Sequence, residues 1–187
     1  MARLRDKYKN EIVPKMREHF GYSSVMAVPK IDKIVVSMGL GKVHENKKAV
    51  EQSAQDLATI TGQRPMMTHS RMAVSNFKLR EGVIVGAVVT LRGRRMYEFL
   101  DRLISVVIPR VRDFRGLKNT AFDEGGNYSM GFSDQIVFPE IRADKVEHFQ
   151  GMNVTIGIRN GTPEASLELL RLFGMPFRTQ VQVAAEQ

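Results

Sequence analysis

Residues 57–81 read LATITGQRPMMTHSRMAVSNFKLRE. The pattern predicts a helix that ends at Gly62, a short strand after it, and then a basic loop without hydrophobic period over residues 71–81. That loop carries three cations and one aromatic side chain: Arg71, Lys78, Arg80 and Phe77. A flexible basic arm with one aromatic suits a nucleic-acid phosphate backbone or an unstacked base. The alternative is an ordinary solvated loop, and these residues alone favour neither interpretation.

The composition predicts a folded, strongly basic protein. The chain has 187 residues, of which 43% are hydrophobic, so it can bury a real core in one domain or in two small lobes that share a core. Lys and Arg number 28 against 20 Asp and Glu, which gives a formal net charge of +8 and a pI of about 9.9. This balance favours an anionic partner, either nucleic acid or an acidic membrane surface.

Several classes of protein are excluded or disfavoured by composition. The chain has no cysteine, which excludes disulfides, thiolate catalysis and cysteine-based zinc sites. It has no apolar run long enough to predict a transmembrane helix. The N-terminus lacks the apolar core of a signal peptide, and its acidic Asp6 and Glu11 argue against a transit peptide. We therefore expect a cytoplasmic protein.

The turn at residues 39–42, GLGK, tempts a nucleotide-site interpretation, but its spacing is wrong. A phosphate-binding loop needs Gly at position 36 and Ser or Thr after the Lys, whereas this chain has Val36 and Val43. The dinucleotide pattern fails because His44 occupies the third glycine position. A tight turn between a strand and a helix is the better interpretation.

Catalysis has weak support. The four histidines are scattered singly along the chain: His19, His44, His69 and His148. None has metal-ligand spacing with a second histidine or a carboxylate pair, and no G-x-S-x-G motif occurs. We predict no catalytic residues, no metal and no cofactor, although an active site assembled from distant residues stays open.

The N-terminal half alternates helix and strand. Residues 2–20 predict a charged helix with a break or kink at Pro14, and a stripe of larger side chains recurs along it every four residues. Its cations face either RNA or solvent. Alternating core and accessible positions predict a strand from Ile31 to Met38. Asn46 is an expected N-cap for a helix to Thr61, and the strand after it covers residues 64–70.

The C-terminal half begins with the strongest strand signal, Gly82 to Arg92, apolar on both faces and therefore predicted to be central. An amphipathic helix is predicted from Met96 to Ile108, ended by Pro109. Four further segments follow: an ordered excursion over 115–133, a strand over 135–138, a strand over 152–159, and a helix opened by Thr162 and Pro163 and ended by Gly174.

We predict a single domain, with an N-terminal helix over 1–20, an N-terminal half over 24–81, a C-terminal half over 82–178 and a flexible tail over 179–187. About five strands and four helices are expected, with helices covering one face of the sheet. The open face would carry polar side chains that can dock RNA: Lys33, Ser37, Thr68, Thr90 and Asn153. Three arginines at the exit of the central strand suggest a phosphate clamp, against ordinary surface charge: Arg92, Arg94 and Arg95.

Long stretches resemble the L5 family of bacterial large-subunit ribosomal proteins. The residues that carry the resemblance include Leu57, Ile60, Thr61-Gly62-Gln63, Met66, Thr68, Ser70-Arg71 and Ala73. Further stretches are PKIDKIVVSMGLG at 29–41, SNFKLREG at 75–82, TLRG at 90–93, MYEFLDRLISVVIPRVRDFRGL at 96–117, FDEGGNYSMGFSDQIVFPEI at 122–141 and LLRLFGMPF at 169–177. The resemblance covers nearly the whole chain. It departs around residues 152–163, where Asn153 stands in place of the Asp that is frequent in the family.

The resemblance implies an α+β fold with a mostly antiparallel sheet, and a non-enzymatic role. It implies binding to 5S rRNA, attachment of that RNA in the central protuberance of the large subunit, and contacts with 23S rRNA and neighbouring large-subunit proteins. It also implies a loop that reaches the P-site tRNA, and a bridge to a small-subunit head protein.

By position, the resemblance assigns the tRNA-side loop to Arg71, Asn76, Phe77, Lys78 and Arg80. It assigns 5S rRNA contacts to Gln63, Arg64, Thr68, Thr90 and Arg92, beside Lys33, Ser37, Arg94 and Arg95 from the charge and strand patterns. The alternatives are a basic DNA-architectural protein, which shares the charge but should bend duplex DNA, and a nucleotide-dependent enzyme built on residues 39–42.

Overall fold

The computed structural model describes residues 3–41, 43–112, 114–142, 146 and 148–178. The predicted flexible tail, residues 179–187, lies outside the described residues, as does Lys42 of the glycine turn. No helix in these ranges is both long enough and apolar enough to span a membrane.

Five strands of the described chain form one open sheet in the order β2-β3-β1-β5-β4. The strands are β1 (Lys30–Gly39), β2 (Met66–His69), β3 (Ile84–Leu91), β4 (Tyr128–Phe132) and β5 (Met152–Arg159). β2 pairs antiparallel with β3, and Thr68 lies opposite Gly86. The predicted α+β class, with a mostly antiparallel sheet covered by helices on one face, is confirmed.

Four helices accompany the sheet in the described residues. They are α1 (residues 3–20), α2 (Lys47–Thr61), α3 (residues 93–110) and α4 (Pro163–Phe173). The predicted caps are present: Asn46 accepts the N–H of Ala49 at 3.3 Å, and Thr162 accepts the N–H of Ala165, also at 3.3 Å. Gly62 ends α2 in a left-handed conformation with φ 65°, which is open to glycine at little cost.

The chain divides into two compact units. The first contains Met1–Ile34, Arg92–Met130 and Thr155–Gln187, and the second contains Val35–Leu91 and Gly131–Val154. The single domain with its named halves stays a prediction.

In the first unit, the predicted stripe of α1 is buried: Leu4, Ile12 and Met16 are at most 4% exposed, and Tyr8 is half-buried. The ring of Tyr8 stacks on Phe173 of α4 with centroids 6.1 Å apart, and its hydroxyl donates to the carbonyl of Pro29 at 3.0 Å. Burial, and secondarily Tyr97, raises the pKa of Tyr8 to about 12. Tyr8 therefore remains neutral and links α1 to the residue that precedes β1.

Pro14 lies within α1, whereas Pro109 lies one residue before the end of α3. Residues Tyr8–Ile12 and Leu103–Val107 are π-helical, and each segment ends two residues before a proline. Helix continues to Phe20 after Pro14 but only to Arg110 after Pro109. A proline ring clashes with the carbonyl four residues back and offers no N–H. The wider π turn accommodates both effects, so the helix continues past Pro14 where a break or kink was predicted. The stop predicted at Pro109 agrees with the structure to within one residue, because α3 ends at Arg110.

Two predictions in the region 115–138 are wrong. The excursion contains β4, in which Tyr128, Met130 and Phe132 are buried alternately. The predicted strand over 135–138 is instead a 3₁₀ turn, Gln135–Val137. The side chain of Gln135 is buried and bonds to the backbone of the segment that precedes β5, accepting from Gln150 N–H at 2.6 Å and donating to His148 O at 2.8 Å. These bonds replace a strand ladder with a side-chain anchor.

Candidate nucleic-acid interface

The strands of the first unit present a polar surface with mostly short side chains. We call it the first sheet surface, and it consists of Lys33, Ser129, Thr155, Gly157 and Arg159. Lys33 is exposed, and its aliphatic stem lies over Gly157, where an added Cβ would come within 3.0 Å of Lys33 Cγ. The hydroxyls of Ser129 and Thr155 are hydrogen-bonded at 3.1 Å. The lack of a side chain at Gly157 therefore lets Lys33 lie flat across the neighbouring strand.

The three arginines predicted as a phosphate clamp are all exposed, but two are already paired. Arg92 Nη1 lies 3.0 Å from Asp32 Oδ2, and Arg94 Nε lies 2.7 Å from Glu98 Oε1. Exposed ion pairs of this kind contribute only about 0.2–1 kcal/mol, so a phosphate can replace the carboxylate at small cost. The clamp stays a prediction, and the acidic partners were not expected from the sequence.

The second unit has its own polar strand surface, the second sheet surface: Ser37, Thr68, Gly86, Thr90 and Asn153. Thr68 lies over Gly86, where an added Cβ would meet Thr68 Oγ1 at 2.8 Å and the carbonyl oxygen of Met38 at 3.1 Å. Asn153 similarly lies over Gly131, with its Oδ1 3.2 Å from the position of an added Cβ. The same arrangement of a glycine beneath a polar side chain thus recurs on this unit.

The turn between α2 and β2 brings Gln63 to Thr90. Thr61 Oγ1 donates to Leu57 O at 2.7 Å and accepts from the N–H of Gln63 at 3.4 Å, while Gly62 turns the chain. Gln63 Nε2 then donates to the carbonyl of Thr90 at 3.5 Å. Two predicted RNA-contacting residues are therefore adjacent. Arg64 is exposed in the same turn, Thr90 is exposed on β3, and Ser37 is half-buried on β1.

The basic loop, residues 71–81, has a hairpin-like backbone. At its base, Ser70 N–H donates to Val83 O at 2.8 Å and Gly82 N–H donates to Ser70 O at 3.0 Å. At its tip, Val74 and Leu79 exchange two backbone hydrogen bonds of 2.9 and 3.1 Å. Between these two residues the chain forms a 3₁₀ turn, Ser75–Phe77. The loop is therefore closed by backbone bonds at both ends, although its composition shows no hydrophobic period.

All five predicted tRNA-side residues are exposed on this loop: Arg71, Asn76, Phe77, Lys78 and Arg80. Phe77 is 71% exposed, and Met72, which sequence reasoning missed, is 72% exposed. No carboxylate in the described chain forms an ion pair with the three loop cations. An exposed aromatic among unpaired cations can stack on a base while the cations contact phosphates.

Two of the histidines contact nearby backbone carbonyls. His44 Nδ1 lies 2.7 Å from Gly41 O, and His69 Nδ1 lies 3.0 Å from Gly82 O. Among the described residues, no group of three or more His, Cys, Asp or Glu side chains could hold a metal ion.

Substituting Gly86→Ala should reduce the free energy of unfolding by about 1–3 kcal/mol, because the new methyl group meets Thr68 Oγ1 and the Met38 backbone. The matched control is Gly39→Ala in β1, where an added Cβ meets nothing within 4 Å. Urea unfolding of both variants measures the difference. Equal stability of the two variants would contradict the close approach of Thr68 to Gly86.

The chain matches two family descriptions that together cover most of it. "Ribosomal protein L5" matches residues 24–80, and the description of the C-terminal part of the same ribosomal family matches residues 84–177. The large ribosomal subunit protein uL5 of Alkaliphilus oremlandii (strain OhILAs) is 54% identical over 177 residues, which are 95% of this chain and 99% of that protein.

Two further relatives show similar agreement. The uL5 proteins of Macrococcus caseolyticus (strain JCSC5402) and Carboxydothermus hydrogenoformans (strain ATCC BAA-161 / DSM 6008 / Z-2901) are 52% and 51% identical, over 95% of this chain and 99% of each relative. These matches confirm the resemblance found in the sequence. The chain therefore belongs to the ribosomal protein L5 family, whose members are structural, non-enzymatic constituents of the large ribosomal subunit.

Proposed function

We propose that the chain binds 5S rRNA and helps to attach it in the central protuberance of the large subunit. The observation that carries this proposal is the charge of the sheet. In the described residues the five strands contain one carboxylate, Asp32, and Arg92 pairs with it. The accessible strand positions instead carry hydroxyls, amides, glycines and cations, which suit a polyanion.

The mechanism follows from the two sheet surfaces. Low, polar surfaces of hydroxyl and amide groups suit the wide, shallow minor groove of RNA, which displays 2′-hydroxyls and base edges. Cations add phosphate contacts that are independent of sequence. On the first unit these cations are Lys33, Arg92, Arg94 and Arg95. On the second unit Ser37, Gln63, Arg64, Thr68 and Thr90 provide hydrogen-bonding groups and one cation.

The same proposal includes the remaining partners of the family. We place the chain in the cytoplasmic ribosome, beside 23S rRNA and neighbouring large-subunit proteins, with a bridge to a small-subunit head protein. Support for these partners comes from the family membership and from the positive charge of +8, not from a defined contact.

The affinity for 5S rRNA should depend steeply on salt. If about six to ten phosphates are contacted, the affinity falls roughly 10³- to 10⁵-fold between 50 and 200 mM salt. Replacing Lys33→Met should reduce the slope of log K against log salt by about 0.7–0.9, the value of one phosphate contact. The matched control is Lys48→Met, an exposed lysine on α2.

Filter-binding or fluorescence titrations over this range of salt measure both quantities. A salt-independent affinity of the unmodified chain would overturn the proposal. An equal change of slope in the Lys33 and Lys48 variants would show that the first sheet surface makes no particular contribution to 5S rRNA binding.

We further propose that the basic loop contacts the P-site tRNA. Its support is the exposure of Phe77 among three cations that have no carboxylate partner in the described chain. Backbone bonds at the base and at the tip fix the segment that carries these side chains. Since the loop carries its own aromatic and cationic groups, it can bind a second RNA without using either sheet surface.

A triple variant, Arg71→Ala with Lys78→Asn and Arg80→Ala, should leave 5S rRNA affinity within about threefold while weakening tRNA retention by reassembled ribosomes. Asn is chosen at position 78 because Lys78 has φ 54°, a conformation that Asn tolerates well. The control is the Lys33→Met variant, which should show the reverse pattern. If the triple variant lost as much 5S rRNA affinity as the Lys33→Met variant, the loop would contact 5S rRNA, and its assignment to tRNA would be wrong.

A further inference from the structure

The turn before β1 exposes two large apolar side chains in the first unit. Val25 is 53% exposed and Met26 is 78% exposed, the highest value among the large hydrophobic residues in the described ranges. Both belong to the 3₁₀ turn Val25–Ala27. Single exposed apolar residues are common on protein surfaces, so exposure alone decides nothing. These two side chains differ from ordinary exposed residues because hydrogen bonds fix the turn that carries them.

Three hydrogen bonds hold the turn in place. Ser24 Oγ accepts from the N–H of Met26 at 3.2 Å, and the carbonyl of Ser24 accepts from the N–H of Ala27, also at 3.2 Å. Asn160, at the end of β5, donates its side-chain N–H to the carbonyl of Met26 at 2.9 Å. Asn160 adopts a φ of 57°, a region that non-glycine residues enter rarely. The backbone of Met26 is therefore anchored, and its side chain points outward from a fixed turn.

The surroundings of the turn are basic. Residues 22–30, YSSVMAVPK, contain no carboxylate. Lys30 begins β1, and the exposed Arg159 precedes Asn160, whose side chain contacts the turn. Arg17 Nε donates to the carbonyl of Tyr22 at 3.4 Å. An apolar projection with cations next to it along the chain, and no carboxylate in residues 22–30, favours a partner that combines phosphates with flat, apolar faces.

We propose that Val25 and Met26 form an apolar contact in the RNA interface, in which Met26 packs on the face of a base or ribose. This inference rests on the proposed function, because β1 and β5, which flank the turn, carry the first sheet surface. The polarisable thioether of methionine packs favourably against aromatic rings. In this proposal Lys30, at the start of β1, and the exposed Arg159 provide phosphate contacts, so the turn adds shape recognition to a charge-driven interface.

The test compares a double variant, Val25→Ser with Met26→Ser, against the unmodified chain in 5S rRNA titrations over a range of salt. The affinity should fall by about tenfold, because the variant loses the favourable burial of a methionine-sized apolar side chain against the RNA. The slope of log K against log salt should stay unchanged, because no phosphate contact is removed. A change at Lys33 alters that slope, so the two kinds of contact are distinguished in one experiment.

Three control variants sharpen this test. Met26→Leu keeps the apolar side chain and should bind within about twofold of the unmodified chain. Met72→Ser removes a comparably exposed methionine from the basic loop and should leave 5S rRNA affinity unchanged. Asn160→Gly removes the tether but permits the same φ, and should cause an intermediate loss because the turn is no longer fixed.

The outcomes separate this inference from the proposed function. If the unmodified chain does not bind 5S rRNA, both are overturned. If it binds and the double Ser variant binds equally well, only this inference is overturned, and the turn is left for a protein partner. A loss that appears as a change of salt slope, with Met26→Leu as weak as the Ser variant, would also overturn it.

Discussion

A close approach between neighbouring strands determines the accessible surface of each unit. Because Gly157 has no side chain, the stem of Lys33 can lie across β5. Because Gly86 has none, the hydroxyl of Thr68 can lie over the backbone of β3. A methyl group at either glycine would meet its neighbour at 3.0 Å or less. The surfaces stay low and polar because these positions have no side chain. A low polar surface is what the shallow minor groove of an RNA helix requires.

Local signals in the sequence predicted most helices and strands correctly. Asn46 and Thr162 cap their helices as expected, because a side-chain oxygen beside free N–H groups is a local arrangement. β4 was missed because Tyr128, Met130 and Phe132 form only a short alternating run within a glycine-rich segment. The turn at Gln135 could not be predicted, because it depends on bonds to His148 and Gln150, which lie far along the chain. Tertiary contacts override local propensity at such positions.

The candidate site shows the same division. Composition was sufficient to find the exposed cations and Phe77 of the basic loop, because their exposure does not depend on contacts with distant residues. Pairing could not be foreseen, so Asp32 beside Arg92 appears only in the structure. Met26 was also missed, because an apolar residue between two other apolar residues resembles a core position in the sequence. In the structure its backbone is bonded to Asn160 and its side chain is exposed.

A competition titration at moderate salt tests the central claim most directly. Labelled 5S rRNA bound to the purified chain would be challenged with excess tRNA and with excess duplex DNA. Specific recognition by the sheet surfaces predicts that 5S rRNA stays bound against both competitors. Equal displacement by tRNA and duplex DNA would contradict the account, because the net charge of +8 would then explain the binding by itself. Preferential displacement by duplex DNA would instead favour a DNA-architectural protein.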